Sequence, residues 1–445
     1  MKLRSAFVQT LGVQILQSAL SISMGVMIAR ALGPTRQGTY AMLAAGVLLG
    51  ALIGSLGQFQ SNVLTAAGKP TGPRVVLARS ILHSLGVGLL LLAGGLILSG
   101  WHLTRIDPGL VYLCVGAITA EVLAQLVRGI NLGQHHVLAY NVSTLIQRVI
   151  QTGGIATLWI LGAMSVARVM GIWILATSAS IIFSMEWIRR RSPRDRLTSD
   201  NLLAGWAGSF GQGGRAFAAV AFVLLLIRCD IWMLQPMLGT TVVGQFSVAT
   251  TLAEWLWYIP TIAGNLLFAV VAADAGKASA STVARVTRLT LSFSCVVAVA
   301  LMLGGRTLVA ILYGAQYAMA GKIFVALVPG MTAIAVHLVV DSYFAGLGFP
   351  LNSVWAAALS LVAKVALNFA LVPHFGALGA AWATCIVYVA LLGYKLLWFR
   401  SLTSLPWPSI LLAGRADLAD GLNEVRSWLR RRIESTSSPV PRRAA

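Results

Sequence analysis

Asn141, Thr144, Arg148 and Gln151 recur at the spacing of one helical face inside an apolar stretch, and Arg148 has no acidic residue within a helical turn. An ionisable group at mid-membrane costs roughly 2.5–3.5 kcal/mol or more, so it must face protein or water. An unpaired cation in such a place calls for an anion. Arg215 also lacks a local acid, and Ser360, Lys364 and Asn368 fall at i, i+4 and i+8. Arginine makes strong, often bidentate bonds to phosphate and lysine supplies a point charge, so Arg148, Arg215 and Lys364 together suit a phosphate-bearing group. The alternative is that they lie nearer the inner surface and snorkel to lipid phosphates.

Acids inside the apolar stretches are few, and each is either half of an interhelical pair or a coupling site for an ion or proton. Glu121, Gln125 and Arg128 share one face, Thr250, Glu254, Tyr258 and Thr261 another, and His337 and Asp341 stand at i and i+4. Asp341, Glu254 and Glu121 are therefore the candidates for ion coupling. Arg228 and Asp230 are two residues apart, point to different helix faces, and are expected to pair with other spans, Arg228 being kept also as a candidate anion contact. Thr10, Gln14, Gln17 and Ser21 form a neutral polar stripe, and Ser55, Gln58 and Asn62 extend it. Amides and hydroxyls suit sugar hydroxyls without demanding a counter-charge, so Gln14, Gln17, Gln58, Asn62, Gln151 and Asn368 are candidates for a cavity wall. Hydrogen bonding between helices is the alternative.

Absences narrow the chemistry. Gly321-Lys322 lacks the upstream glycine of a phosphate loop, and His135-His136 lacks a third metal ligand. Cys114, Cys229, Cys295 and Cys385 lie singly in apolar stretches, as packing residues do. The outer loops hold one acid, Asp107, too few for a glycosyl-transfer site built on carboxylates. The expectation is a protein that is not an enzyme, with no catalytic residue, metal or cofactor.

The elements that must position these side chains are membrane helices. Of 445 residues, 58% are hydrophobic and 10% charged, against about 25% charged in soluble domains, which excludes a soluble enzyme or a disordered chain. A hydrocarbon core of ~30 Å needs about 20 apolar residues per crossing helix. Apolar windows give twelve spans, at roughly 5–30, 39–63, 80–100, 109–132, 141–162, 168–188, 212–237, 242–270, 287–304, 322–345, 351–372 and 377–399. Cytoplasmic loops collect arginine and lysine. With the N-terminus inside, 23 of the 33 basic residues fall on the inner side, six on the outer side, and Arg148, Arg215, Arg228 and Lys364 within spans. Both termini are expected in the cytoplasm, so the net charge of +20 reflects topology and implies no nucleic-acid partner. Gln9, Gln14 and Gln17 interrupt the first apolar stretch, which reads as a retained span and not a cleaved signal. Beyond Arg400, Leu418, Leu422, Val425 and Leu429 predict an amphipathic helix on the inner leaflet.

Leu32-Gly33-Pro34-Thr35-Arg36-Gln37-Gly38-Thr39-Tyr40 after the first span is matched by Leu238-Gly239-Thr240-Thr241-Val242-Val243-Gly244-Gln245-Phe246 after the seventh, at an offset of 206. Both copies fall on an outer hairpin turn of a six-span unit, where glycine permits the bend. An even number of spans separates them, so the halves share orientation and a two-fold axis along the membrane normal is expected. The domains follow: a six-helix bundle over 1–190, a cytoplasmic linker over 191–211, a second bundle over 212–400, and a tail over 401–445.

The chain resembles the polysaccharide transporter, or lipid-linked oligosaccharide (O-antigen type) flippase, branch of the multidrug/oligosaccharidyl-lipid/polysaccharide exporter superfamily. The resemblance is carried by Ala29-Arg30-Ala31-Leu32-Gly33-Pro34 through Gly38-Thr39-Tyr40-Ala41, and by Arg228-Cys229-Asp230 leading to Leu238-Gly239 and Gly244-Gln245-Phe246. Leu312-Tyr313-Gly314-Ala315-Gln316-Tyr317 and Asn368-Phe369-Ala370-Leu371-Val372-Pro373 complete it. It implies an all-α membrane protein of about twelve helices, in two pseudo-symmetric six-helix bundles around a central cavity. The implied activity is export of an undecaprenyl-diphosphate-linked oligosaccharide across the bacterial cytoplasmic membrane by alternating access. Implied partners are that lipid-linked substrate, membrane lipids, a proton or sodium as coupling ion, and polysaccharide assembly proteins. The sequence departs from the family at Phe268-Ala269-Val270-Val271, where a proline often bends span eight. Two other activities compete: a cation-coupled multidrug extruder, which would use cavity carboxylates, and a flippase for the peptidoglycan lipid precursor.

Overall fold

The computed structural model describes residues 2–67, 72–100, 107–191, 214–273, 277–348, 350–412 and 414. The expected tail helix at 418–429 lies outside them. The described elements are α1 (Lys2–Ser55), α2 (Gln58–Ala67), α3 (Pro73–Gly100), α4 (Pro108–Gly133), α5 (Val137–Ile160), α6 (Val166–Arg191) and α7 (Gly214–Leu238). They continue with α8 (Thr240–Ala253), a 3₁₀ turn (Glu254–Trp257), α9 (Tyr258–Ala273), α10 (Lys277–Tyr313), a second 3₁₀ turn (Ala315–Tyr317), α11 (Ala318–Gly346), α12 (Leu351–Phe375), α13 (Ala377–Thr403) and α14 (Trp407–Leu411).

Among the described residues, nine helical stretches are long and apolar enough to cross a membrane. The other three expected spans are present in less regular form. α1 is two crossings bent at Gly33, whose φ of 70° and ψ of 170° are not helical. α5 is diluted by Asn141, Gln147, Arg148 and Gln151. α8 and α9 cover the eighth expected span, interrupted by the 3₁₀ turn at Glu254–Trp257; α9 runs on as helix through Phe268-Ala269-Val270-Val271, where the family's proline is missing. Helices apolar all round either sit in a core or face lipid, and both occur. In Ala315–Gly346, 78% of the most apolar window is buried, whereas in Ala280–Tyr313 only 17% is, leaving Leu303 and Val296 to lipid.

Contacts group the chain into two compact units, one of 1–254, 302–328 and 349–387, the other of 255–301, 329–348 and 388–445. In the first, Met24, Ile28, Val47, Val122, Leu126 and Met170 form an apolar core. In the second, Val283, Val339, Phe344, Phe399 and Ile410 do so.

The two sequence repeats meet each other inside the first unit. Gly33 and Gly239 share one backbone conformation, φ 85° and ψ 168° at Gly239, a region that side chains exclude. The Thr35 and Thr241 hydroxyls are 2.8 Å apart. A Cβ on Gly38 would stand 2.0 Å from the Thr240 carbonyl oxygen, and one on Gly244 would stand 1.8 Å from that of Pro34. Residue i thus touches j+206 while j touches i+206, the reciprocity of a two-fold contact. Next to it, Arg30 donates to the Ile311 and Leu312 carbonyls at the end of α10, and the Tyr317 hydroxyl donates to Ala29.

Carboxylates tie the helices elsewhere. Asp230 on α7 receives the Lys364 ammonium at 2.6 Å, the Asn368 amide at 2.7 Å and the Thr384 hydroxyl at 3.3 Å, and Lys364 also donates to the Leu226 carbonyl. Lys364 is wholly buried and Asp230 2% exposed. Arg228, two residues earlier and on the other face, holds Glu254 through two bonds of 2.8 and 3.1 Å.

Gly244→Ala should disrupt the reciprocal contact at a cost of about 1–3 kcal/mol, the usual penalty of overpacking, read as a lower thermal midpoint of the purified protein. Breaking one partner of a buried pair costs about 3–5 kcal/mol, so Lys364→Met should lower that midpoint further. Adding Asp230→Asn should recover most of the loss; equal midpoints for the single and double variants would contradict the pairing.

Candidate functional site

Five helices of the first unit enclose a cavity of about 400 Å³, and α7 adds Phe217 to its lining. α5 supplies Tyr140, Thr144, Gln147, Arg148 and Gln151, positions that fall on one helical stripe. α4 adds Glu121, Gln125 and Arg128, one turn apart each. Asp107 starts α4 by accepting from the Gly109 amide at 2.9 Å, with Pro108 at the first helical position, the arrangement that fixes a helix N-terminus. α6 contributes Trp173, α1 contributes Gln17 and Ser55, and α2 contributes Phe59 and Gln60.

The second span is broken beside the cavity. Leu56 and Gly57 take positive φ values of 46° and 75°, and His83 of α3 donates to the freed Gly54 carbonyl at 2.7 Å. The break ends α1 at Ser55 and starts α2 at Gln58, which turns Ser55, Phe59 and Gln60 to the cavity. Interrupted membrane helices recur at transporter binding sites because their backbone can line a wet space.

One wall is a closed network. Glu121 accepts from Arg128 at 2.8 Å, Gln147 at 3.1 Å, Thr177 at 3.4 Å and Trp173 at 3.5 Å, and Arg128 also donates to the Gln147 carbonyl at 2.8 Å. Both acceptor oxygens are therefore engaged and the Arg128 charge is neutralised. Arg148, in contrast, has only the Gln151 side-chain oxygen at 3.3 Å; among the described residues no carboxylate reaches it. Gln17 donates to Thr144 at 2.7 Å, bracing α1 against α5. Among the described residues the cavity thus carries one excess positive charge, ringed by Gln17, Gln60, Gln125 and Gln151, with Tyr140, Trp173, Phe59 and Phe217 as aromatic surface.

The other candidates stand apart. Lys364 and Arg228 each have a carboxylate partner, Asp230 and Glu254, and neither lines this cavity. The side chain of Arg215 lies outside the described residues. Gln14 is half-buried on α1, Asn62 is occupied by Ser80 and the Leu126 carbonyl, and Asn368 by Asp230. Gln58 is buried. Asp341 pairs with Lys395 at 2.5 Å; Lys395 is one of the 23 basic residues counted to the inner side, yet its side chain is only 2% exposed and it lies within the span Ala377–Thr403. Gln147 and Tyr140 are lining residues that spacing could have found, since each stands three or four residues from a candidate on α5, whereas Gln60, two residues from Gln58 and Asn62, lies off their face.

No protein-family profile and no curated protein sequence matches the chain. Among solved structures, it is similar to an inward-facing multidrug resistance MATE family transporter of the MOP superfamily, at 13% identity over 89% of this chain and 98% of that one, with a TM-score of 0.67. It is similar to the lipid II flippase MurJ in an inward closed conformation, at 13% identity over 97% and 94%, with a TM-score of 0.68. A mutant of the Vibrio cholerae MATE transporter VcmN matches at 10% identity over 91% and 99%, with a TM-score of 0.63. The chain is therefore a multi-pass membrane protein with the helical fold that these transporters share.

Proposed function

We propose that the chain is an exporter that carries an undecaprenyl-diphosphate-linked oligosaccharide across the bacterial cytoplasmic membrane by alternating access, with both termini in the cytoplasm. The observation that carries this reading is Arg148, a cation that among the described residues has no carboxylate partner, in a cavity whose other charges, Glu121 and Arg128, pair with each other and whose lining includes amides, hydroxyls and aromatic rings. Phosphate satisfies the guanidinium. Amides and aromatic faces bind sugar hydroxyls and the apolar faces of sugar rings.

The shared fold admits both lipid flippases and multidrug exporters, and the charge of the cavity separates them. A cationic drug needs a carboxylate with free valence, whereas Glu121, the only acid lining the cavity among the described residues, has four donors already. An anionic headgroup meets the one charge left over. At about 400 Å³ the cavity falls within the range of small-ligand sites, about 300–1,000 Å³, so it holds the phosphate end of the substrate and leaves the polyprenyl tail in lipid.

The two bundles, 1–190 and 212–400, are read as the rocking halves, with the Thr35–Thr241 contact as their outer closure. The census of arginine and lysine supports that orientation. Arg148→Gln keeps the side chain's length and polarity and removes its charge. It should reduce translocation of a defined lipid-linked oligosaccharide in proteoliposomes by at least tenfold, while the protein elutes as the wild type does. Full activity of this variant would contradict the proposal.

A further inference from the structure

A second concavity shares no lining residue with the substrate cavity. It is a groove of about 710 Å³ between α3, α4 and α6, walled by Leu85, Leu89, Leu92, Tyr112, Ile174 and Ile182. Leu89 and Ile182 are each 67% exposed. Gly88 lets α3 approach α4 at the floor, because a Cβ there would stand 2.8 Å from the Thr119 hydroxyl. The hydroxyls that α3 and α4 place in the lining are engaged within the protein. Ser84 donates to the Thr119 carbonyl at 2.9 Å, and Thr119 to that of Val115 at 2.8 Å. The groove therefore offers apolar contact along its length and suits a hydrocarbon chain.

Length and charge narrow the choice of chain. Lining residues run from Ile81 to Leu92 on α3 and from Ile174 to Met185 on α6, a rise of about 16 Å at roughly 1.5 Å per residue. That is about half of a ~30 Å hydrocarbon core, the depth of one leaflet. At one end both helix faces continue into arginine. Arg74 stands seven residues before Ile81, and Arg189 four residues after Met185, positions that share a face with the lining. The two faces meet there, since Arg74 donates to the Arg189 carbonyl at 2.6 Å. Residues 73–80 and 185–191 hold five arginines and one acid, Glu186, which pairs with Arg189 and Arg190. Trp187 lies at the same end, with the Arg191 guanidinium 4.2 Å from its ring centre, as suits the headgroup boundary.

Other occupants fit this pattern less well. A second copy of the chain, related by an axis along the membrane normal, would bring its own arginine cluster to the level of this one, like charge against like. A zwitterionic lipid fills the groove but leaves the excess of cations unanswered. A substrate held at Arg148 has its phosphate in the other cavity, where α4 presents Glu121, Gln125 and Arg128 and not the groove residues Gly116, Thr119 and Ala120.

We infer that the groove binds one anionic phospholipid of the leaflet read above as cytoplasmic. An acyl chain lies along α3, α4 and α6, and the phosphate meets Arg74, Arg189 and Arg190. Each guanidinium carries five N–H donors, more than the bonds to Glu186 and to the Arg189 carbonyl engage. Their bonds to phosphate are charge-assisted, and the bound lipid ties α3 to α6 at their arginine ends.

The test is native mass spectrometry of the full-length protein released from mixed micelles of equimolar phosphatidylglycerol and phosphatidylcholine with the same acyl chains. The wild type should retain one phosphatidylglycerol, with at least a fivefold preference over phosphatidylcholine. Ala120→Leu fills the groove and keeps every charge, and should lower phosphatidylglycerol retention at least fivefold. Arg189 and Arg190 have side chains 72% and 77% exposed, so Arg189→Gln with Arg190→Gln leaves the fold intact and should abolish the preference. Arg168→Gln, at an exposed position near the other end of α6, should retain it. Equal retention of the two lipids by the wild type, a preference that survives the double substitution or vanishes in Arg168→Gln, or unchanged retention in Ala120→Leu would each overturn the inference. Displacement of phosphatidylglycerol by equimolar polyprenyl phosphate would assign the groove to the substrate's tail and overturn it as well, as would a dimer carrying no lipid. Export by Arg148→Gln judges the exporter reading separately, since Arg148 does not line the groove.

Discussion

In hydrocarbon a charge must find a partner, and that constraint organises this protein more than any other. Among the described residues the five acids inside its spans each meet a cation: Glu121 meets Arg128, Asp230 meets Lys364, Glu254 meets Arg228, Asp341 meets Lys395, and Glu186, at the end of α6, meets Arg189 and Arg190. These pairs decide which helices lie together. Asp230 draws α12 and α13 onto α7, and Glu121 draws α4, α5 and α6 into one wall. What survives the pairing is the chemistry on offer, and in the cavity that is the guanidinium of Arg148.

The reciprocal contact between the repeats shows how backbone geometry serves the same end. Gly38 and Gly244 let one hairpin turn press its carbonyl against the other helix, a close approach that needs no apolar surface and so works in a membrane, where hydrophobic burial does not drive helices together. The interruption at Leu56 and Gly57 performs a different task. It interrupts the helix for a change of direction that places Phe59 and Gln60 in the cavity lining, and the Gly54 carbonyl beside it accepts from His83.

Much of the fold was legible in the sequence, because twenty apolar residues between charged or glycine-rich turns leave a chain few alternatives. The repeat at an offset of 206 was legible for the same reason: Gly33 and Gly239 stand where only glycine fits. The candidate site was legible in part. Arg148, Gln17 and Gln151 were readable because intramembrane polar spacing on one helix is a local property. Partner choice was not, since nothing along the chain says that Asp230 meets Lys364 across 134 positions of sequence or that Lys395, counted as a surface cation, lies beneath Trp398. Long-range pairing is set by which faces pack, and a single sequence does not print that. The helix break at Leu56 escaped notice as well, because a leucine with positive φ has no composition signal.

The central claim is that the cavity of the first unit selects an anionic, sugar-bearing headgroup through Arg148. Trp173 lies in its lining, so binding can be followed by tryptophan fluorescence as a short-chain polyprenyl-diphosphate-linked N-acetylhexosamine is titrated into the purified protein. The account predicts saturable binding that weakens at least tenfold in Arg148→Gln and is not displaced by lipophilic cations. Equal affinity in the variant, or displacement by a lipophilic cation, would contradict it.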